Sequence, residues 1–221
     1  MTVLKPSLKN EWPLLVIMLV AIAAAPYFYL HFPDVVPTHW GWNGQPDGWS
    51  GKGFAAFFFP ILIWAMYFLF IYIPKLDPRK DKYEQFSRAY GIIRSAIIIF
   101  MVAIYFLASL NGLGYDVPVD IYVPVGVGLL FIIIGNYLSK IKSNWFIGIR
   151  TPWTMSSEEA WRKTHRFGSK VFMISGVLIA LSTWLPEDWQ VGVFIAVIAL
   201  LVLGTFGYSY YAYSQDKHHK E

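Results

Sequence analysis

The chain has 221 residues, of which 56% are hydrophobic and only 14% are Asp, Glu, Lys or Arg, with a mean hydropathy of +0.46. Soluble domains carry roughly 25% charged residues, so this chain is short of groups to cover a water-facing surface, and composition points to an integral membrane protein. It has no cysteine, which excludes disulfides and thiolate metal sites.

A helix that crosses a bilayer needs about 20 mainly apolar residues. Six stretches qualify, at 12–30, 54–74, 90–111, 120–138, 169–185 and 190–213. The first is expected to be retained as a span, because Ala23 to Ala25 is only a weak match to a signal cleavage site. The connecting segments differ sharply in charge. Fifteen of the 18 Lys and Arg residues fall in the N-terminus, the second loop, the fourth loop and the tail. Only Lys52 falls in the first, third or fifth loop, and Arg94 and Lys170 lie just inside spans next to the basic loops. Basic residues stay on the cytoplasmic side, so the expected fold is an all-α, six-transmembrane-helix bundle with both termini cytoplasmic, forming one unit over 1–221. The net charge of +4 then belongs to membrane-edge loops that meet anionic lipid, and direct nucleic-acid binding is not expected. Nine of the ten tryptophans fall at span ends or loops, which reads as interfacial anchoring.

The first loop runs "FPDVVPTHWGWNGQPDGWSGKG" from Phe32 to Gly53. Its Pro and Gly content predicts an ordered cap over the outer face, with His39, Asn43 and Asp47 as its polar centre and Asp34 and His31 nearby. No helical His pair or Glu-rich pair accompanies them, so no metal is expected. "GKG" at 51–53 lacks the spacing of a phosphate loop, and no cofactor is expected.

In the second loop, Asp81 and Glu84 resemble an N-cap arrangement that starts the third span near Lys82. Arg94 lies deeper. Two readings stand: snorkelling to the interface, or a buried pairing role.

The fourth loop holds "GNYLSKIKSNWFIGIRTPWTMSSEEAWRKTHRFGSK". Ser156 with Glu159 reads as a capping box, so an amphipathic helix is expected from near Ser157, leading into the fifth span. On it Glu158–Arg162 and Glu159–Lys163 are spaced to pair, and Glu158, Trp161, Arg162 and His165 are expected on one face. Thr151-Pro152 favours extended backbone before the proline, so "IRTPWT" reads as an extended strap. Arg150 either clamps its own loop or reaches a partner carboxylate or phosphate, with Glu158 and Glu159 as internal possibilities. As the expected organiser of this loop, it would not be replaceable by Lys.

This long motif resembles the signature of the SdpI family of bacterial membrane immunity proteins. "PDVVPTHWGWNGQPDGW" is similar to the DUF1648 segment that commonly precedes it. The implied boundaries are about 12–60 for the DUF1648-like segment and about 120–213 for the SdpI-like one. The resemblance implies resistance to a secreted peptide toxin outside the cell and sequestration of a soluble transcriptional repressor inside. Carried over position by position, the second motif implies Asn136, Asn144, Arg150, Thr151, Trp153, Thr154, Trp161 and His165 as ligand or partner residues, along with Gly148 and Pro152. The first implies His39, Asn43 and Asp47, along with Pro37 and Gly44. No catalytic centre is implied. The alternative is a membrane-embedded enzyme or small-molecule transporter. It would need a cavity lined by His39 and Asp47, or by Arg150 and His165.

Overall fold

A computed structural model describes residues 8–216. Lys5, Lys217 and Lys220, and the side chain of Lys9, on which part of the charge pattern rests, lie outside the described residues. The chain is mostly helical. Helix α1 covers Leu8–His31, α2 Lys52–Leu76, α3 Ser87–Gly112, α4 Val119–Leu138, α5 Pro152–Ser156, α6 Glu158–Ser182, α7 Glu187–Ala199 and α8 Thr205–Ser214. A π-helical turn, Leu200–Gly204, joins α7 to α8. Five segments are long and apolar enough to cross a membrane: Glu11–His31, Lys52–Leu76, Lys80–Gly112, Val119–Leu138 and Glu187–Ser214. This is a multi-pass membrane protein.

Helix α6 is not among those five because its first half is charged, but it is central to the packing. It runs antiparallel to α4 in the most extensive helix pairing of the bundle. Glycines make this closeness possible. A Cβ on Gly128 would stand 2.5 Å from the Gly176 carbonyl, and one on Gly135 would stand 2.8 Å from that of Ser169. The Ser169 hydroxyl donates to the Gly135 carbonyl at 2.6 Å. Small residues that let backbones meet are how helices pack where lipid removes the hydrophobic drive.

The expectation of an all-α fold needs correction. Residues Val35–Trp40 (β1) and Pro46–Gly51 (β2) pair antiparallel as a hairpin. A Gly-containing turn between the two short runs favours a hairpin over a coil, and Gly44 at φ +72° supplies the turn. The hairpin seats on one end of the bundle. Val36 is buried beside Gly112 at the end of α3, the Trp40 indole donates to Asn111 at 3.1 Å, and Trp42 meets Phe194 of α7 edge-on.

The third span also starts differently. Residues Lys80–Phe86 form a 3₁₀ turn, and α3 begins at Ser87 without a side-chain cap. Tyr83 and Phe86 are both buried. A 3₁₀ turn eclipses residues three apart, so it drives both rings into the same end of the bundle, which an α-helix starting near Lys82 would not. Arg94 settles between its two readings as a buried group. It is ion-paired with Glu11 of α1, and its guanidinium lies 5.6 Å from the Tyr67 ring.

Candidate functional site

The segment from Ser139 to Ser157 leaves the helix at the bundle end opposite the hairpin. Its backbone polar groups must be satisfied where water is scarce, and side chains do it. Asn144 is fully buried. Its amide nitrogen donates to the carbonyls of Lys142 and Ile147, both at 2.9 Å. Its oxygen accepts from the N–H groups of Phe146 at 2.9 Å and Ile147 at 2.7 Å. Two donors and two acceptor positions are the whole capacity of an amide; the loop backbone fills them, and the Tyr83 hydroxyl also approaches the oxygen at 3.4 Å.

Asp77, at the end of α2, does the same from the neighbouring turn. Its carboxylate accepts from the N–H groups of Arg79 at 2.7 Å and Trp145 at 2.9 Å, and from the Tyr83 hydroxyl at 2.9 Å. Arg79 in turn donates to Ser143 and lies 5.9 Å from the Trp145 ring. Asp77 and Tyr83 were not among the expected site residues. An Asp-Pro pair heading a turn was the available signal, because Asp side chains bond backbone two residues on.

His165 holds the next stretch. It is fully buried, stacked on Trp161 with ring centroids 4.0 Å apart. Its Nδ1 donates to the Trp161 carbonyl at 2.9 Å, and its Nε2 accepts from the Ile149 N–H at 3.0 Å. Those partners define one neutral tautomer, because a protonated ring would point a second N–H at Ile149 N–H. Burial pushes its pKa down from 6.5 to about 4, against an opposing pull from the Trp161 carbonyl. Gly148, at φ +114°, passes directly over the ring, and any Cβ there would collide with Nε2. Trp161 is buried rather than an interfacial anchor, and its indole donates to the Ile141 carbonyl at 2.8 Å.

The expected strap is a helix. Thr151 is extended, with φ −116° and ψ 163°, but it caps α5, with Pro152 at the first helical position. Proline restricts the residue before it and suits helix position N1, so the same Thr-Pro pair ends the extended run and starts the turn. The capping box is Thr151 with Thr154, not Ser156 with Glu159. Thr151 accepts from Thr154 N–H at 3.2 Å and donates to Ser209 of α8 at 2.9 Å. Thr154 accepts from Thr151 N–H and donates to the Ile149 carbonyl, both at 2.9 Å. Ser157 caps α6 by accepting from Ala160 N–H at 3.0 Å. Trp153 packs edge-on against Phe206 and Tyr210 of α8, at 4.8 and 5.1 Å.

Arg150 is exposed and donates to the Trp145 carbonyl. It clamps its own loop, but the organising residues are Asn144, Asp77 and His165. The acidic residues expected as its partners are engaged elsewhere. Glu158 pairs with Lys82 of the preceding turn. Glu159 pairs with Arg162 at 2.7 Å and Lys163 at 3.3 Å, and Arg162 holds its carboxyl below the usual range. Arg162 thus takes the i,i+3 partner rather than Glu158. The expected common face also divides: Trp161 and His165 point in, while Glu158 and Arg162 point out. Asn136 is not part of the cluster. It is exposed on α4 and faces a groove against α3.

At the far end, His39 pairs with Asp47 across the hairpin, and both are exposed. Asn43 accepts from Gln45 N–H at 3.0 Å, shaping the turn. Asp34 pairs with Lys52 at 2.8 Å, and His31 Nδ1 donates to the Tyr27 carbonyl at 2.7 Å. The hairpin's polar groups face outward, whereas those of the Ser139–Ser157 loop are turned into it.

Comparison with known proteins agrees with this geometry. Residues 140–209 match the SdpI/YfhL protein family, and residues 16–64 match the domain of unknown function DUF1648. A segment similar to the SdpI/YfhL family thus follows one similar to DUF1648. Over 199 residues it is 28% identical to immunity protein SdpI of Bacillus subtilis strain 168, covering 89% of this chain and 93% of that protein. No solved structure matches. The SdpI match holds the whole side-chain-satisfied loop and begins after Asn136. The DUF1648 match holds the hairpin.

Two outcomes follow. Asn144→Ala strips partners from four backbone groups, each worth about 1–3 kcal/mol when left unmet. Trypsin should then cut at Lys142 and Arg150 at least tenfold faster in membranes that expose this loop, while Arg150→Lys should change cleavage at Lys142 little. Equal protection in Asn144→Ala would remove the amide from its organising role. The second concerns pH. The folded state refuses a proton at His165 that the unfolded state accepts below about pH 6.5, so stability is present above that value and is lost as pH falls toward about 4. The purified protein should lose up to about 3 kcal/mol over this window. His165→Gln should flatten that part of the thermal-unfolding profile.

Proposed function

We propose that this protein is a membrane immunity protein that protects its cell from a secreted peptide toxin. The toxin is met at the hairpin, and a soluble partner, a transcriptional repressor, is held at the inner loop. The observation that carries the reading is the likeness to an immunity protein over 89% of the chain, with the DUF1648 and SdpI segments in order. The contrast between the two ends supports it. The hairpin offers exposed His39, Asn43 and Asp47 to an outside ligand. The inner loop is a rigid platform whose outward side chains, Trp145, Phe146 and Arg150, are available to a partner.

The same reading takes α6 as a sixth span, residues 1–221 as one unit, and both termini as cytoplasmic. Its support is the antiparallel run along α4 from Ser169 against Gly135 to Gly176 against Gly128, with the buried stripe Gly168, Val171, Ser175 and Ile179. Because the chain has no cysteine, single cysteines report topology cleanly. Gln45→Cys should react with an impermeant maleimide in intact cells, and Lys142→Cys only after lysis. Reaction of Lys142→Cys in intact cells would reverse the orientation.

Function is tested in a sensitive host challenged with the culture supernatant of a toxin-secreting strain. Expression should raise survival, and His39→Ala or Asp47→Ala should reduce it with the membrane level of protein unchanged. Full membrane levels without protection would end the immunity reading.

A further inference from the structure

A groove of about 1240 Å³ runs between α3 and α4, floored in part by α1, α2 and α6. Its two ends differ in chemistry. At the inner end stand Arg88, Arg94, Ser87 and Asn136, and farther along the lining is Ile99, Phe100, Leu129 and Ile133. We propose that this groove is a binding site for one anionic phospholipid, with its phosphate at the Arg88–Arg94 end and an acyl chain laid between α3 and α4.

Three observations carry this. First, the cations at the inner end are not neutralised there. Arg88 is exposed and makes no ion pair among the described residues. Lys140, also exposed, lies 4.6 Å from the ring of Tyr137, which lines the groove. Only Arg94 is paired, through Glu11. The mouth therefore carries net positive charge beside the start of α3, where helix N–H groups also favour an anion.

Second, Arg94 is left one bond short. Its side chain is about nine-tenths buried, and its Nε has no hydrogen-bond partner among the described residues. A buried donor without an acceptor carries its full desolvation cost. Arg94 lines the groove, so an oxygen entering there relieves it once the side chain turns Nε, now covered, toward the groove.

Third, the length fits a lipid in one leaflet. From Ser87 to Ala103 α3 rises roughly 24 Å, against a bilayer core of about 30 Å. One leaflet takes half of that core, about 15 Å, so the groove accommodates a headgroup and one chain within the leaflet. A peptide fits less well, because its backbone N–H and C=O groups would find few partners along the apolar stretch. Ile99 and Leu129 are exposed on the groove walls, where an acyl chain covers them without such a demand.

The full-length protein in nanodiscs of phosphatidylcholine with a minority of phosphatidylglycerol provides the test. After gentle release, native mass spectrometry reads the bound lipid. Phosphatidylglycerol should be retained in preference to phosphatidylcholine. Arg88→Gln should reduce that retention about fivefold, the factor expected for one basic residue at a membrane surface. Ala96→Trp, which fills the apolar trench, should reduce retention of both lipids. A photo-crosslinking residue at Ile99 in the otherwise unchanged chain keeps the test independent of how well Ala96→Trp folds, and its adduct should have the mass of a lipid. Equal retention of the two lipids, an unchanged Arg88→Gln, or an adduct to a peptide or to a second copy of the chain would each overturn the proposal.

Discussion

Between Ser139 and Thr151 a length of non-helical backbone sits at the end of a membrane bundle, and its polar groups cannot be left to water. Much else in the structure follows from how they are satisfied. The Asn144 amide uses all four of its bonding positions on the loop. Asp77 reaches in from the α2–α3 turn to Trp145, and His165 reaches from α6 to Ile149. Thr151 reaches out to Ser209 on α8. The last three bonds each join the loop to a different helix, so the loop is the joint through which α2, α6 and α8 are held in one arrangement. The chemistry is specific to residue type: only an amide offers two donors and two acceptors on one short stem, and only glycine fits over the His165 ring at position 148.

The N-terminal half is tied to the rest by a different device. Arg94 and Glu11 form an ion pair that is largely withdrawn from solvent. Such a pair is weak evidence of net stability, because desolvation offsets much of the attraction, but removing one partner strands the other. It therefore acts as a register mark, fixing α1 against α3 at one height. The hairpin makes a second mark at the other end, through Trp40 to Asn111 and Val36 against Gly112. Two fixed heights on α3, one near each end, leave α1 little freedom to slide. The segment matched by DUF1648 holds the hairpin mark, and Glu11 stands five positions before it.

The spans were legible because bilayer thickness imposes a length and composition that any apolar run displays. The stretch 120–138 coincides with α4 to within a residue, and 190–213 lies inside Glu187–Ser214. The motif loop was legible as a unit, and His165, Thr151 and Asn144 do meet in it. Their roles were harder to see. Arg150 looked dominant because a guanidinium offers many donors, yet the strongest demand came from buried backbone, which short, fully enclosed side chains meet better than a long exposed one. The partner of Arg94 was invisible for another reason. Glu11 stands 83 positions away in the chain, and no local spacing connects the two. The hairpin was read as an ordered cap without strands because its strands are short and carry Pro37 and Pro46, so the alternation that marks a strand is weak.

The motif residues divide into two groups, and the division limits how a partner could use them. Asn144, Thr151, Thr154, Trp161 and His165 are buried and committed to internal bonds, so none of them is a contact surface. A molecule arriving at this end meets Arg150, Pro152, Trp145 and Phe146, which are exposed, on a frame whose shape the buried group determines. Changes in the two groups should therefore differ in kind. An outward substitution alters recognition and leaves the frame intact. An inward one moves the frame, and with it α6 and α8, because the same bonds hold both. Any shift of α6 along α4 would be felt in the loop at Ile149 and Ile141, because the His165 imidazole and the Trp161 indole bond the helix to the loop backbone there. The Gly128–Gly176 contact leaves no side chain to cushion such a shift. A close glycine interface at mid-helix and these two bonds at its end make α4, α6 and the loop move as one body.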